Sequence, residues 1–308
     1  MTVSPAAADL RAALIDKLAH QGLLTDSTLR DAFAAVPREA FVRFYFEPCC
    51  GRPGWQLVEG GQKWLEGVYA DDALVTQLGG DDTAAEAARR GETVEGKPTS
   101  SSSAPSLMAT MLVALDVHDG HRVLEVGTGT GYNAALLAHR LGEGNITTVE
   151  IDLAMAVRAR HALATTGCRP RVICADGTDG VAAYAPYDRV IATVALPRVP
   201  PGWLEQTRDD ALILIPLSFA GHGGLMALLS RDSNGGASGR FLSQYGGFMP
   251  VRSTPQPAAP KIRPELLDAA RPTDVPPEAL SDCHPAAFYL SLRCPSPYQT
   301  IQFTPEDH

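Results

Sequence analysis

The spacing of apolar residues divides the chain into four stretches. Residues 8–47 carry apolar side chains three to five positions apart, a spacing that predicts helices. Residues 48–98 contain many glycines and polar residues, and we expect them to be irregular. Residues 106–251 alternate short apolar runs with helical patterns. Residues 252–308 are rich in proline, and only their run AAFYLSLRC is typical of a strand.

The first stretch predicts two helices. One helical face carries a set of leucines, namely Leu10, Leu14, Leu18 and Leu23. The second helix lies in the segment TDSTLRDAFAAVPREAFVRF. Its candidate N-cap is Asp26 or Ser27, because the side-chain oxygen of either residue can accept a hydrogen bond from a free backbone amide of the first turn.

The third stretch predicts an α/β fold. Five apolar runs read as strands, and helical patterns separate most of them: HRVLEV, NITTVEID, PRVICADG, YDRVIATVA and ALILIPLS. The segment PGWLEQTRDD before the last run is expected to be a helix. Strands alternating with helices at this spacing indicate a mostly parallel sheet with helices on both faces. Ligands of such sheets bind beyond the carboxyl ends of the strands.

A glycine loop, GTGTG, follows the first of these strands. Gly127, Gly129 and Gly131 permit a tight turn and a close approach of a ligand to the backbone. The loop is a poor match to a dinucleotide cradle, because Gly131 comes one residue early and Tyr132 stands in the place of the third glycine. Glu125 at the entry to the loop would repel phosphate. We therefore expect a cationic cofactor without phosphate.

Acidic residues end the next two strands. Glu150 can accept hydrogen bonds from two ribose hydroxyls, and Asp176 can accept one from an exocyclic amine. Together with the short glycine loop, they indicate S-adenosylmethionine; the alternative is that the acids only cap helices. The candidate cofactor-binding residues of this region are Glu125, Gly127, Thr128, Gly129, Gly131, Tyr132, Asn133, Glu150, Ile151, Asp176 and Gly177.

The segment GKPTSSSSAPSLMATML, residues 96–112, allows two interpretations. Its serine run, Ser100–Ser103, lies between prolines and is typical of a flexible linker. The residues that follow have helical periodicity, and Pro105 fits the first position of a helix, where its missing N–H costs nothing. The segment is therefore either a tether or the start of a helix at the edge of a site.

Composition narrows the function classes. The net charge of −9 makes the chain a poor candidate for binding nucleic-acid backbones. We see no signal peptide and no apolar run of the roughly 18 residues that a membrane span needs. The six cysteines lack the compact spacing of a disulfide framework, which is typical of reduced thiols. We therefore expect a cytoplasmic protein. No metal site is predicted; Cys283, His284 and Cys294 are the best candidates, and they lack an evident fourth ligand.

The motif VLEVGTGTGYNAALLAHRLG resembles the first motif of class I methyltransferases, and most closely that of the protein-L-isoaspartate O-methyltransferase family. Other segments resemble the same family in order: AFAAVPREAFV, VYADDALV, DGTDGVAAYAPYDRVIATVALPRVPPGWLEQ and GLMALLSRDSNGGASGRFLSQYGGFMPV. The resemblance implies a Rossmann-like sheet with an antiparallel closing hairpin. It also implies three parts: a helical, substrate-facing segment with an insertion (1–98), the methyltransferase core (99–251) and a C-terminal extension (252–308).

The resemblance also assigns roles to residues. Ser103 matches the family's serine, which lies beside the methyl donor and the substrate carboxylate, so it is a candidate catalytic and cofactor-binding residue. The serine run would then be an active-site wall and a helix cap. Thr193 falls in the family's Thr–Ala segment and is the second candidate catalytic residue. The candidate substrate-binding residues are Tyr69, Asp71, Ser101 and Ser102.

Departures from the family suggest a particular substrate. Ala104 stands in place of the family's glutamine, and the chain has an insertion before Ser103 and an extra tail. These features resemble a subgroup that matures ribosomal peptides such as lanthipeptides and graspetides. That enzyme methylates an aspartate side chain of a cyclised precursor, and the ester closes to an aspartimide, which can hydrolyse to isoaspartate. The alternatives are repair of isoaspartyl proteins, another methyl transfer, or a non-catalytic binding module.

Overall fold

Helices and strands alternate through the part of the chain that the structure, a computed structural model, describes: residues 5–219 and 222–253. The helices are α1 (Pro5–His20), α2 (Ser27–Ala35), α3 (Gly61–Tyr69), α4 (Thr83–Arg89), α5 (Pro105–Leu115), α6 (Tyr132–Leu141), α7 (Leu153–Thr165) and α8 (Pro201–Glu205). The strands are β1 (Phe44–Pro48), β2 (Trp55–Glu59), β3 (Leu74–Leu78), β4 (Pro98–Ser102), β5 (Val123–Val126), β6 (Ile146–Glu150), β7 (Arg171–Cys174), β8 (Tyr187–Ala192), β9 (Thr207–Phe219), β10 (His222–Arg231) and β11 (Ala237–Gly246).

The large sheet has seven strands in the order β11–β10–β9–β8–β5–β6–β7. The five strands from β9 to β7 in this order are parallel, and β10 and β11 form an antiparallel hairpin at one edge. In β5, Val123 pairs with Ile146 of β6 on one side and with Arg189 of β8 on the other. The predicted Rossmann-like sheet with a closing hairpin is confirmed.

Each face of the large sheet carries its own core, because successive side chains of a strand point to opposite faces. Val123 belongs to the core that includes α1, α2, α5, α6 and α7, and Ile146 lies in the same core. Leu124 and Val126 belong to the second core, which includes Trp203 of α8. The carboxyl ends of β5, β6 and β8 therefore emerge between two layers that fix their positions.

The small sheet has four antiparallel strands in the order β2–β1–β3–β4. The expectation that residues 48–98 are irregular is wrong, because this range contains β2, α3, β3 and α4. The predicted helical stretch also ends early, since β1 begins at Phe44. These elements are short, with five to nine residues each, so no hydrophobic periodicity extends far enough along the sequence to predict them. They are stabilised by strand pairing and by a small apolar core under α4.

The serine run is neither a linker nor a helix cap. Its first three residues lie in β4, where Ser102 pairs with Leu74 of β3. Pro105 begins α5 as predicted, but the N-cap is Ala104, whose side chain cannot accept a hydrogen bond. The cap is supplied from outside the helix: the Asp71 carboxylate accepts a 2.8 Å hydrogen bond from the Ser106 amide. The boundary predicted between residues 98 and 99 lies within β4, which is a strand of the small sheet.

The remaining sequence-based expectations have mixed outcomes. Asp26 is the N-cap of α2, and its carboxylate accepts from the amides of Thr28 and Leu29. The helix expected over PGWLEQTRDD ends at Glu205, because β9 begins at Thr207 and pairs with β8. No helix in the described ranges is long and apolar enough to cross a membrane. The run AAFYLSLRC and the cysteine–histidine group of the tail lie outside the described residues.

Candidate functional site

The glycine loop, residues 127–131, crosses the carboxyl end of β5 with three glycines in the left-handed region. Their φ angles are +98° at Gly127, +53° at Gly129 and +90° at Gly131. A Cβ at Gly127 would lie 2.7 Å from Thr193 Oγ1, so the protein itself leaves no room there. A Cβ at Gly129 would meet only ordinary contacts, the nearest being the Ser101 carbonyl oxygen at 3.6 Å. Gly129 thus lies next to the serine run, with room for a Cβ between them.

Glu150, at the end of β6, is held in place by the backbone around it. One carboxylate oxygen accepts a 2.9 Å hydrogen bond from the Gly129 amide, and the other accepts a 3.1 Å hydrogen bond from the Asp152 amide. The side chain is almost fully buried. A carboxylate fixed by two amides keeps its remaining lone pairs aimed in one direction, toward the space beyond the strand ends.

Asp152 supports the site from beside the cleft, and the sequence did not reveal this. Its carboxylate caps α7 by accepting from the Met155 amide at 3.1 Å. The other oxygen accepts from Gln77 Nε2 at 3.1 Å and from Arg252 Nη1 at 3.2 Å. The Asp152 pKa is lowered: burial opposes this shift, and the hydrogen bonds from Met155, Gln77 and Arg252 outweigh burial. The contact with Gln77 joins the small sheet to the large one.

The segment after β11, residues 247–252, forms another side of the site, and it was also missed. Its backbone pairs with Ala195, whose amide donates to the Met249 carbonyl at 2.8 Å and whose carbonyl accepts from the Val251 amide at 2.9 Å. The segment ends with Arg252, whose guanidinium lies 3.6 Å from the Glu150 carboxylate. Only the three-dimensional pairing brings this arginine to the end of β6.

Glu125 lies beneath the glycine loop and is completely buried. Its carboxylate accepts from Asn133 Nδ2 at 2.7 Å and from Thr148 Oγ1 at 2.6 Å, and Thr148 also shares a 2.7 Å hydrogen bond with Thr128. Burial raises the pKa of Glu125 to about 7, although both donors favour its charged form. The structure thus makes Glu125, Thr128 and Asn133 one buried polar network under the loop.

Asp176 and Gly177 lie just beyond β7. One Asp176 oxygen accepts from the Thr178 amide at 2.9 Å and from the Thr178 hydroxyl at 2.8 Å, which leaves the second oxygen free for a ligand among the described contacts. A Cβ at Gly177 would lie 2.4 Å from Val126 Cγ1, and its carbonyl accepts from Trp203 Nε1 at 2.8 Å. Asp176 therefore caps a turn, as the alternative interpretation expected, and still lines the cleft.

The serine run lines the cleft together with the glycine loop. The Ser102 hydroxyl is buried and accepts a 3.4 Å hydrogen bond from Arg38 Nη2, so it is already engaged by that side chain. The hydroxyls of Ser101 and Ser103 form no hydrogen bond within the described part of the chain. Of the predicted serine contacts, Ser101 and Ser103 are thus the two whose hydroxyls can serve a ligand.

Tyr69 and Asp71, the other predicted substrate-binding residues, are not brought into the cleft. The Tyr69 hydroxyl accepts from Arg11 Nε at 3.0 Å and donates to the Glu39 carboxylate. Burial, together with the Glu39 contact, raises the Tyr69 pKa above its usual range. Asp71 caps α5 through the Ser106 amide. Both side chains support the elements around the site, and their contact with a substrate stays a prediction.

Thr193, Tyr132 and Ile151 all border the cleft in different ways. The Thr193 hydroxyl donates to the Gly127 carbonyl at 2.6 Å, so its hydrogen is committed to the glycine loop. Tyr132 is buried, and its ring centroid lies 5.8 Å from that of Phe41. Ile151 is 41% exposed at the rim of the cleft. A catalytic role for Thr193 stays a prediction, because the structure gives its hydroxyl a role in holding the loop.

These elements enclose an open cleft between the glycine loop, the serine run and residues 247–252. Its residues fit S-adenosylmethionine. Glu150 and Asp176 offer acceptors for hydroxyl and amine donors, and no basic side chain reaches the glycine loop in the described contacts. Asn133 Oδ1 is buried beside the cleft and has no hydrogen-bond partner in the described structure. Such an oxygen suits a ligand that donates, as an ammonium group does.

No group of three or more metal-ligating side chains occurs in residues 5–219 and 222–253. The acidic residues of the cleft are instead occupied by backbone amides, hydroxyls and arginines. Glu150, Asp152 and Asp176 each accept at least one backbone hydrogen bond. Their chemistry is that of carboxylates arranged to accept hydrogen bonds from an organic ligand.

Comparison with protein families gives a match over the site. The profile of the family described as protein-L-isoaspartate(D-aspartate) O-methyltransferase (PCMT) matches residues 90–253. The protein-L-isoaspartate O-methyltransferase of Methanocella arvoryzae is 37% identical over 154 residues, which is 47% of this chain and 81% of that protein. The enzyme of the same name from Methanopyrus kandleri is 31% identical over 210 residues, 67% of this chain and 76% of that protein.

Solved structures agree with these sequence matches. A protein-L-isoaspartate O-methyltransferase structure with 26% sequence identity superposes with a TM-score of 0.60, covering 78% of this chain and 65% of its own. A structure from Plasmodium falciparum assigned to the same enzyme, in complex with S-adenosyl-L-homocysteine, gives a TM-score of 0.54 at 13% identity. It covers 79% of this chain and 98% of its own, and at that identity it supports the fold alone.

Proposed function

Because the chain belongs to the protein-L-isoaspartate(D-aspartate) O-methyltransferase family, we propose that it methylates the free carboxylate of L-isoaspartyl residues in peptides or proteins. Family membership confirms the predicted class of enzyme, an S-adenosylmethionine-dependent O-methyltransferase, and its cofactor. The relatives are named for isoaspartyl substrates, which supports the repair alternative better than the peptide-maturation hypothesis. A cytoplasmic location stays a prediction.

One observation carries the proposal: the serine run and the glycine loop line the same cleft and approach each other at Gly129, whose Cβ position lies 3.6 Å from the Ser101 carbonyl oxygen. S-adenosylmethionine supplies a methyl group on a sulfonium, and the carboxylate that accepts it is already ionised at pH 7. No strong general base is therefore required. What the chain must do is orient the carboxylate and exclude water from it. The Ser103 hydroxyl can donate to one carboxylate oxygen while the other remains free to accept the methyl group.

The maturation of a ribosomal peptide is the second candidate function, and the small sheet is the observation in its favour. The family match begins at residue 90, so β1, β2, α3, β3 and α4 precede it. These elements form the sheet whose last strand, β4, lines the cleft. A sheet beside the acceptor position offers surface for a substrate larger than one residue, such as a cyclised precursor with a free aspartate.

Mass spectrometry with defined peptides tests both candidates. The purified protein is incubated with S-adenosylmethionine and a hexapeptide that contains one isoaspartyl residue, beside the same hexapeptide with an ordinary aspartate. We expect a mass gain of one CH₂ unit on the isoaspartyl peptide only. A side-chain-cyclised peptide with one free aspartate is the third substrate. If it alone gains CH₂ and then loses methanol, the maturation hypothesis replaces the repair proposal.

A further inference from the structure

Arg38 is a fully buried arginine for which the described structure provides no carboxylate partner. It lies in the single turn of 3₁₀-helix at Arg38–Ala40, with 0% of its surface exposed. Its guanidinium donates almost entirely to backbone carbonyls. The acceptors are the carbonyl oxygens of Val68 at 2.7 Å, Ala70 at 3.1 Å, Asp72 at 3.1 Å, Ser102 at 3.4 Å and Ser103 at 3.0 Å, and the Ser102 hydroxyl at 3.4 Å.

The charge of this side chain persists despite its burial. Loss of solvent lowers the Arg38 pKa to about 10, which still leaves the group ionised at neutral pH. Burying an ion without an opposite charge is unfavourable unless hydrogen bonds satisfy it. Carbonyl oxygens do so here for Nη1 and Nη2, whereas Nε is buried without a hydrogen-bond partner in the described structure. The Tyr132 ring centroid lies 5.9 Å from the guanidinium carbon. The planar fork of an arginine can reach this many carbonyls at once, which a lysine ammonium cannot.

The two ends of the fork join two different parts of the chain. Nη1 donates to Val68 and Ala70, at the end of α3. Nη2 donates to the serine run, where the chain leaves β4. The fork therefore fixes the backbone of Ser103 relative to α3 and to the connection into β3. On the other side of Ser103, Asp71 fixes the Ser106 amide.

These contacts leave the Ser103 side chain as the part of this turn that is free to serve a ligand. Its carbonyl is bound to Arg38, and its hydroxyl, which lines the cleft, forms no hydrogen bond within the described residues. We propose that Arg38 is the positioning residue of the acceptor site, which acts by holding the backbone of Ser103 so that its hydroxyl faces the methyl acceptor. The inference rests on the proposed function, because it assigns Ser103 to the carboxylate.

A double-mutant cycle tests the proposal, with Arg38→Lys, Ser103→Ala and the double variant. Turnover is measured on the isoaspartyl hexapeptide, and donor affinity is measured by calorimetry. Arg38→Lys keeps the charge and removes the fork. We expect it to lower kcat by about tenfold or more while donor Kd changes less than about twofold. In the Ser103→Ala background, Arg38→Lys should lower kcat no further, since both changes remove the same interaction.

A second buried arginine provides the matched control. Arg189 is buried and donates to the carbonyls of Leu115 and Asp116 outside the cleft, so Arg189→Lys should lower the melting temperature without lowering kcat. If Arg38→Lys does not fold, Ser102→Val replaces it, because a methyl group in place of the hydroxyl displaces Nη2. The same lack of additivity with Ser103→Ala is then expected.

The outcomes separate this inference from the proposed function. Independent losses that multiply in the double variant, or a donor affinity that falls in parallel with kcat, would show that Arg38 only supports the fold, and would overturn the inference. In that case the wild-type protein still methylates the isoaspartyl peptide, and the proposed function stands. A wild-type protein that methylates no isoaspartyl peptide removes the proposed function and the inference together.

Discussion

Replacing Gly127 by alanine tests the assigned donor site most directly. At φ +98° any side chain is strained, and left-handed backbone costs an L-residue about 1–2 kcal/mol. The new Cβ would also lie 2.7 Å from Thr193 Oγ1 and 2.9 Å from Val194 Cγ1. Either the loop shifts or Thr193 rotates and loses its hydrogen bond to the Gly127 carbonyl, at a cost of about 1 kcal/mol. We expect a total destabilisation of about 2–3 kcal/mol.

Gly167→Ala is the matched control. Gly167 follows α7, has a φ of +79°, and a Cβ there would meet nothing within 4 Å. It should cost only the backbone strain, about 1–2 kcal/mol, and it lies outside the donor cleft. Urea unfolding measures the stability of both variants, and calorimetry measures their affinity for S-adenosylmethionine.

The two variants should differ in binding more than in stability. A displaced loop no longer presents the Gly129 amide to Glu150, so we expect Gly127→Ala to lose at least about tenfold in donor affinity, or about 1.4 kcal/mol. Gly167→Ala should bind the donor as the wild type does. The reasoning fails if Gly127→Ala keeps wild-type affinity, or if it unfolds no more readily than Gly167→Ala.

Three further predictions concern single side chains of the cleft. Glu150→Ala should weaken donor binding by about 1.5–3 kcal/mol in calorimetry, through the loss of charged hydrogen bonds; unchanged affinity would remove Glu150 from the site. Ser103→Ala should lower kcat and kcat/KM together in peptide methylation assays while donor Kd is unchanged, whereas Ser101→Ala should do less; the reverse order would show that the serines are misassigned. Because burial raises the Glu125 pKa from 4.5 to about 7, the folded state holds this proton more tightly than the unfolded state. Relative to Glu125→Gln, the unfolding free energy of the wild type should therefore fall between about pH 4.5 and 7, by on the order of 3 kcal/mol; parallel urea-unfolding curves across this range would contradict the assignment.

The sequence was informative where one local rule determines the structure. The strands of the large sheet are bounded apolar runs, and the glycine loop must contain glycine because its backbone is left-handed, so both could be predicted. The small sheet could not, because a strand such as β4 has the sequence PTSSS, and its stability comes from pairing with β3 about twenty residues away. A motif also does not tell which way a side chain points. Tyr69 and Asp71 match the family pattern, yet their contacts support neighbouring elements.

The missed site residues share a physical reason. Arg38 and Ala195 contact the site through backbone carbonyls and amides, which leave no side-chain pattern in the sequence. Arg252 reaches Glu150 only because the segment after β11 pairs with the end of β8. The PRE tripeptide that contains Arg38 fits a helix by its local sequence, and nothing local shows that the guanidinium reaches Ser103, 65 residues away.

The way Glu150 is held has a consequence for which nucleoside the protein accepts. Amides of Gly129 and Asp152 restrain both oxygens of the carboxylate before any ligand arrives. A carboxylate that cannot rotate offers two acceptor directions at a fixed separation, which matches the two adjacent hydroxyls of a ribose. A 2′-deoxy sugar would leave one of these buried oxygens short of a donor, and a site built for hydrogen bonding rejects such an analogue far more strongly than an apolar pocket does. We therefore predict that the chain distinguishes ribose from deoxyribose by the rigidity of its own backbone.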